Sequence, residues 1–122
     1  MTMTLRVEIF TDDLDALVDF YTRVLGFTVD RDERGESPGY VALSRDTVYV
    51  GAAQRAAIAH LDGRRPPAGT ELVLEVDDVR TELVAVQSSG WPIEEGLQER
   101  PWGLSDFRVL DPAGYYLRIT DR

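Results

Sequence analysis

Two stretches of the sequence repeat one another, and this repeat constrains the fold more than any other feature. RVEIFTDDL, residues 6–14, and ELVLEVDDV, residues 71–79, both show largely alternating apolar and polar residues and contain paired aspartates. A period of two is typical of a strand with one buried face. The chain is therefore expected to contain two copies of one unit, each beginning with a strand.

A helix is expected after each of these strands. In the first copy, apolar residues at helical spacing begin at Leu14 and are followed by Gly26. In the second copy they begin at Val79 and are followed by Gly90. Glycine is the residue most often found just beyond a helix C-terminus. The paired aspartates that precede both helices are typical N-caps, so we assign them to capping and not to chemistry.

Three further strands are expected after each helix. They begin near FTVDRD and WPIEE and continue as hairpins in GYVALSRDTVYVGAAQ and SDFRVLDPAGYYLRIT. We therefore divide a single domain, residues 1–122, into a first module, 1–54, a connector, 55–69, and a second module, 70–122. The connector is rich in Gly and Pro. It contains the sole histidine, His60, which we interpret as an exposed bystander.

Two segments carry a resemblance to a known family: DDLDALVDFYTRVLGF, residues 12–27, and DPAGYYLRI, residues 111–119. PWGLSDF, residues 101–107, is similar to a Trp-Gly stretch before the last hairpin of many members. The chain resembles the vicinal oxygen chelate superfamily, which includes glyoxalase I, extradiol dioxygenases and the fosfomycin and bleomycin resistance proteins. The resemblance implies an α+β fold, in which two tandem βαβββ modules form a curved mixed sheet around a cavity. It also implies a homodimer.

Enzymes of this superfamily hold a divalent metal with four side chains, taken from the first and last strands of each module. By the resemblance, these positions correspond to Arg6, Gly51, Glu71 and Arg118. Arginine stays protonated and glycine has no side chain, so Glu71 alone can donate to a metal. A zinc site needs three or four protein ligands. We therefore expect no metal, no cofactor and no catalytic residue of the usual type.

The charged residues on these strands predict a different use of the same place. Strand alternation puts several polar and aromatic residues on one face of their strands: Arg6, Glu8, Phe10, Glu71, Glu75, Tyr116 and Arg118. We predict that Glu71 pairs with Arg6, Arg118 or both on a cavity floor, and that Glu8 and Glu75 leave acidity for a ligand. If these groups form only rim ion pairs, each stabilises the fold by about 0–1 kcal/mol.

Aromatic residues supply candidate contacts for a flat ligand. Trp102, which lies between Pro101 and Gly103 ahead of the last hairpin, is the best candidate for stacking. Any other single aromatic residue is more typical of the core. The complete set of candidate ligand-binding residues is Arg6, Glu8, Phe10, Tyr49, Glu71, Glu75, Trp102, Phe107, Tyr116 and Arg118.

The overall charge narrows the class of partner. Thirteen basic and 22 acidic residues give a formal charge of −9, which disfavours nucleic acids and anionic membranes and favours a cationic ligand. No apolar run approaches the roughly 20 residues of a membrane span, and the start MTMTLRVEIF lacks the features of a secretory signal. We expect a cytoplasmic protein. The absence of cysteine excludes disulfides and thiolate chemistry.

These features favour a metal-independent small-molecule binding protein that sequesters a cationic, partly aromatic antibiotic or metabolite. The bleomycin resistance branch, which the chain resembles most, carries an arginine at the position of Arg118. The alternative is an enzyme of the superfamily, a lyase, isomerase or dioxygenase with an atypical or displaced metal site, or a metal-free one with Glu71 or Glu8 as base. A non-catalytic subunit or ligand sensor is a third class, since fold does not dictate function.

Overall fold

The computed structural model describes residues 1–55, 67 and 69–122. The chain divides into two compact units, Met1–Ala59 and His60–Arg122. Each unit contains one strand, a helix and three further strands, so the α+β fold with two tandem βαβββ modules is confirmed. Most of the connector, including His60, lies outside the described residues. The assignment of both modules to one domain stays a prediction.

The first module contains a four-stranded mixed sheet in the order β1-β4-β3-β2. Its elements are β1 (Arg6–Thr11), α1 (Leu14–Asp19) with a π-helical continuation (Phe20–Val24), β2 (Thr28–Glu33), β3 (Tyr40–Arg45) and β4 (Val48–Gln54). Strand β1 runs parallel to β4, and the other neighbours are antiparallel. The parallel pair is possible because α1 carries the chain across the sheet between the first two strands.

The second module repeats this arrangement in the order β5-β8-β7-β6. Its elements are β5 (Leu72–Glu75), α2 (Val79–Ser89), β6 (Glu95–Glu99), β7 (Ser105–Leu110) and β8 (Tyr116–Thr120). Strand β6 starts later than the expected WPIEE segment. Pro92 has no N–H to give to a ladder, and Trp91 instead donates its indole N–H to the Leu110 carbonyl at 2.8 Å.

Both helices begin as the sequence predicts. The carboxylate of Asp13 accepts the N–H of Ala16, and that of Asp78 accepts the N–H groups of Arg80 and Thr81. The first helix departs from the expected single α-helix, because its second half, Phe20–Val24, is π-helical. Among the described residues, no helix has both the length and the apolar character that a membrane crossing requires.

Each sheet has a buried face and a polar face. In β1, β3 and β8 the buried residues alternate with half-exposed ones, as in Ile9 between Glu8 and Phe10. Most of the buried side chains of the strands are apolar and lie on the face that also receives the helix: Ile9, Val41, Leu43, Val50, Phe107, Val109, Leu117 and Ile119. Thr11, Asp106 and Thr120 are polar strand residues that are also buried. The alternation of β1, continued backward, predicts Leu5 on this apolar face, but Leu5 precedes β1 and is exposed. The polar faces are therefore available for function.

Candidate functional site

The polar face of the first module is organised around Glu8. Strand register places Glu8 beside Gly51 of the neighbouring strand β4. The Glu8 carboxylate accepts a hydrogen bond from the Tyr40 hydroxyl at 3.1 Å and forms an ion pair with Arg6 at 3.0 Å. Because Tyr40 belongs to β3, the carboxylate reaches over β4 toward the middle of the sheet.

Gly51 makes this contact possible. A Cβ atom at position 51 would overlap both the Glu8 carboxylate and the Tyr40 hydroxyl. Any other residue would force these two groups to move. Burial, followed by the hydrogen bond to Glu8, raises the pKa of the Tyr40 hydroxyl, so it remains a neutral donor at neutral pH.

Two further aromatic residues lie on the same sheet face as this carboxylate. Phe10 and Tyr49 have 37% and 46% of their surface exposed. The guanidinium of Arg55 lies 4.8 Å from the centre of the Phe10 ring, and that of Arg31 lies 5.6 Å from the centre of the Tyr40 ring. Both distances fall within the range of cation–π contacts.

The polar face of the second module carries opposed arginines. Arg108 of β7 is directly paired in register with Arg118 of β8. Like charges in this position repel one another, and Glu71 offsets the repulsion. Its Oε1 atom lies 3.0 Å from Arg118 Nε and 3.5 Å from Arg108 Nη2. Of the two partners predicted for Glu71, the structure shows Arg118, whereas Arg6 pairs with Glu8 in the first module.

The contact between Glu71 and Arg118 is an ion pair without hydrogen-bond geometry. Glu71 Oε1 and Arg118 Nε are both buried, and neither atom makes a hydrogen bond within the described part of the chain. The two side chains keep about a quarter of their surface exposed, 27% and 26%. The remaining donors of Arg118 can therefore be reached from solution.

Asp106 anchors the other end of this network. Its side chain is 1% exposed and accepts hydrogen bonds from Arg100, at 2.7 Å from Nη2 and 3.0 Å from Nε. Glu95 accepts from Arg100 at 2.6 Å and from Arg108 at 3.2 Å. The hydrogen bonds to Asp106 and then to Glu95 raise the pKa of Arg100 further above its usual range. Arg100 is thus a structural residue that forms ion pairs with Asp106 and Glu95.

Sequence reasoning missed Asp106, Arg108 and Glu95 in this network. The segment SDFRVL does carry a signal, because alternation puts Asp106 and Arg108 on the face opposite Phe107. Tyr40 is likewise absent from the predicted ligand-binding residues. Its contact with Glu8 depends on the pairing of β1, β3 and β4, which no local pattern reveals.

Phe107 is the correction among the predicted ligand-binding residues. Its side chain is 0% exposed, and it is paired in register with Ile119 on the buried face of the second sheet. It alternates with Asp106 and Arg108, so it cannot share their polar face. Phe107 is a core residue, and its prediction as a ligand contact was wrong.

The other predicted residues of the second module lie at or near its polar face. Tyr116 is half-buried and is paired with Leu110; burial, and next the negative charge of Glu95, raise the pKa of its hydroxyl. Glu75 is exposed at the end of β5. Trp102 lies in the turn before β7 with 61% of its surface exposed. None of these positions by itself tests ligand contact, so their binding role stays a prediction.

A groove of about 340 Å³ lies elsewhere in the first module, between the start of α1 and the loop that precedes β3. Its lining includes Asp12, Asp15, Arg34 and Gln54. Gln54 holds the entry to the helix, since its amide donates to the Asp12 carbonyl and its oxygen accepts the Leu14 N–H. These contacts explain the local structure without a ligand.

Comparison with known proteins identifies the family to which the chain belongs. A family model described as the glyoxalase/bleomycin resistance protein/dioxygenase superfamily matches residues 4–119. The chain belongs to this superfamily. No curated protein matches the chain at a significant level.

Solved structures of the superfamily fold span nearly the whole chain. TioX from Micromonospora sp. ML1 is 24% identical, with 98% of both chains covered and a TM-score of 0.77. A bleomycin resistance determinant encoded on the transposon Tn5 is 19% identical, with 99% of this chain and 98% of that chain covered and a TM-score of 0.78. Lactoylglutathione lyase from Agrobacterium tumefaciens is 20% identical, with 99% and 94% covered and a TM-score of 0.71. At these identities the likeness shows the fold.

Membership of the superfamily raises the question of a divalent metal. At two of the four positions that the resemblance assigns to metal ligands, Gly51 lies beneath the Glu8 carboxylate and Arg118 is paired with Glu71. At a third, Arg6 is a cation already paired with Glu8. The described residues contain no group of three or more His, Cys, Asp or Glu side chains placed to share an ion. These donors do not fit the metal site of superfamily enzymes.

Proposed function

We propose that this chain is a small-molecule binding protein that acts without a divalent metal and sequesters a cationic, partly aromatic antibiotic or metabolite. One observation carries the proposal. At positions that the resemblance assigns to metal ligands, this chain has Gly51 under the Glu8 carboxylate in one module and the ion pair of Arg118 with Glu71 in the other. These groups bind charged and hydrogen-bonding ligands, but they provide no Lewis acid for catalysis.

The chemistry of the two polar faces supports a guest with charged and aromatic parts. The first module offers the Glu8 carboxylate with exposed rings, and the second offers the outer donors of Arg118. The formal charge of −9 favours a cation in general. The fold is shared with a bleomycin resistance determinant, which is consistent with an antibiotic as guest. The proposed ligand contacts are Arg6, Glu8, Phe10, Tyr40, Tyr49, Glu71, Glu75, Trp102, Tyr116 and Arg118.

The proposal includes a cytoplasmic homodimer that does not bind nucleic acid or membranes. Resemblance to the superfamily supports the dimer, and the acidic charge supports the absence of these partners. Light scattering of the purified 13.7 kDa chain is expected to give twice the mass of one chain. A monomer at micromolar concentration would contradict the dimer but not the binding function.

Ligand titration tests the function directly. Purified protein is titrated with a panel of cationic glycopeptide and planar aromatic antibiotics while tryptophan fluorescence is followed and bound metal is measured by elemental analysis. We expect saturable quenching at micromolar ligand in metal-free protein, because Trp102 is exposed in the turn before the last hairpin. A Trp102→Phe variant provides the matched control, since Trp91 then remains as the sole indole.

Two outcomes separate the function classes. Quenching that disappears in Trp102→Phe and occurs without metal supports sequestration. No binding to any compound, together with near-stoichiometric metal in the purified protein, contradicts it and makes an enzyme with a displaced metal site the better explanation.

A further inference from the structure

We propose that Glu8 recognises the cationic group of the ligand and that it forms, with the rings of Phe10, Tyr40 and Tyr49, a site for an organic ammonium, amidinium or guanidinium ion. The site lies on the polar face of the first module. This inference rests on the proposed function, because it names the chemical group that this face selects.

The position of the carboxylate is the first support for this site. Glu8 belongs to β1, but its carboxylate lies over Gly51 of β4 and meets the hydroxyl of Tyr40 from β3. Strand register puts Ala42 and Ala53 on the same face as Gly51. Small side chains thus form the centre of the face, and the carboxylate lies over Gly51, on the same face as the rings of Phe10, Tyr40 and Tyr49.

The charge of Glu8 is only loosely compensated. The hydroxyl of Tyr40 is a neutral donor, so it orients the carboxylate without cancelling its charge. The compensating cation is Arg6, whose side chain is 64% exposed, whereas that of Glu8 is 33% exposed. An exposed ion pair of this kind adds little stability and exchanges readily with an external cation.

The rings complete the recognition of a cation. Guanidinium groups of the chain itself already lie against two of them, Arg55 at Phe10 and Arg31 at Tyr40. These contacts identify both rings as acceptors of planar cations. Tyr49 adds a third ring with nearly half of its surface exposed. A carboxylate among aromatic rings is typical of sites that select organic cations.

The closing experiment compares a cation with its neutral isostere. Benzamidine and benzamide have nearly the same shape, but only benzamidine is charged at neutral pH. Each is titrated into wild-type protein and followed by amide chemical shifts in two-dimensional NMR. We expect benzamidine to shift the amides of Glu8 and Gly51 and to bind roughly fivefold or more tightly than benzamide, the factor for one exposed charge interaction.

Variants assign this preference to the carboxylate. Glu8→Gln keeps the shape but removes the charge, and it should abolish the preference for benzamidine. Gly51→Ala displaces the carboxylate and should weaken benzamidine binding roughly fivefold. Gly96→Ala is the matched control in a strand, because a Cβ there would meet no described atom within 4 Å, and its binding should equal that of wild type. Arg6→Gln removes the cation paired with Glu8 and should strengthen the binding of benzamidine, which carries no group for the ligand contact proposed for Arg6, roughly two- to fivefold.

The outcomes distinguish this inference from the function on which it rests. Equal binding of benzamidine and benzamide, or full retention of the preference in Glu8→Gln, overturns the site. If an antibiotic from the panel binds wild type and Glu8→Gln equally well, the inference fails and the proposed function stands. If no antibiotic binds but benzamidine selects Glu8, the cation site stands and sequestration of those compounds fails.

Discussion

The two modules have the same strand order, but their polar faces have opposite chemistry. By position in the sheet, Gly51 of β4 corresponds to Arg118 of β8, and Ala42 of β3 corresponds to Arg108 of β7. The first module thus has the smallest side chains at the centre of its face, where the second has two guanidinium groups. A repeated fold can therefore carry small side chains at the centre of the polar face in one copy and a charged network in the other.

The buried faces explain why this divergence is possible. In both modules the residues that pack beneath the helix are apolar and almost completely buried, as Leu43 and Phe107 illustrate. Their burial provides the main driving force for folding. The polar faces need only satisfy their charges and hydrogen bonds, so their residues can differ without changing the strand order.

The largest expected effects concern the buried apolar faces, which the two modules have in common. Phe107→Ala should lower the free energy of unfolding by about 3–5 kcal/mol, and Leu43→Ala by about 2–5 kcal/mol, because each leaves a cavity in a buried face. Urea unfolding measures both. Trp102→Ala, at an exposed position, should stay within about 0.5 kcal/mol of wild type. A loss of less than about 1 kcal/mol of unfolding free energy in Phe107→Ala would indicate that this side chain lies at the surface and not in the core.

A second prediction tests the contrast between the polar faces. Asp106→Asn should lower the free energy of unfolding by about 1–3 kcal/mol, because it removes the buried charge that faces Arg100 and leaves Glu95 as the remaining anionic partner of this guanidinium. Glu8→Gln should cost only about 0–1 kcal/mol, since the Glu8 pair is substantially exposed. Equal costs in chemical denaturation would show that the two faces do not differ in this way.

A third prediction concerns the opposed arginines. Glu71→Gln should destabilise the protein by about 1–3 kcal/mol, because Arg118 would lose its anionic partner while it faces Arg108, which keeps Glu95 and Asp106. We expect the melting temperature to fall by several degrees. Glu75→Gln is the control, since Glu75 is exposed. If Glu71→Gln melts within about one degree of wild type, Glu71 stabilises the fold no more than a surface ion pair does.

The smallest expected effect is alkaline titration of the two polar-face tyrosines. Burial and a nearby carboxylate raise the pKa of both Tyr40 and Tyr116 above 10.0, the ordinary value. The folded state therefore binds these protons more tightly, and their contribution to stability is complete below pH 10 and is lost as pH rises through the folded pKa values. Tyrosinate absorbance in Tyr40→Phe and Tyr116→Phe assigns each step.

The same titration distinguishes the modules. Glu8→Gln should lower the pKa of Tyr40 toward its ordinary value and leave that of Tyr116 unchanged, because Glu8 contacts Tyr40 and the negative charge near Tyr116 comes first from Glu95. A shift of both tyrosines in this variant would contradict the separation of the two environments.

Much of the secondary structure could be predicted because its signals are local. The capping carboxylates of Asp13 and Asp78 and the helix-ending Gly90 act on groups only a few residues away. Alternation likewise identified the polar faces of β1 and β8. The same rule, applied to SDFRVL, puts Phe107 on the face opposite Asp106 and Arg108 and so excludes it from the polar face.

What the sequence by itself determined is the order of the elements and the face on which each strand residue lies, because both follow from contacts between near neighbours in the chain. Only the tertiary structure decided which polar residues meet. The Glu8 carboxylate meets Tyr40 above Gly51 because three strands, distant in sequence, pair in one register. A register is set by the packing of whole faces, so no local pattern contains it.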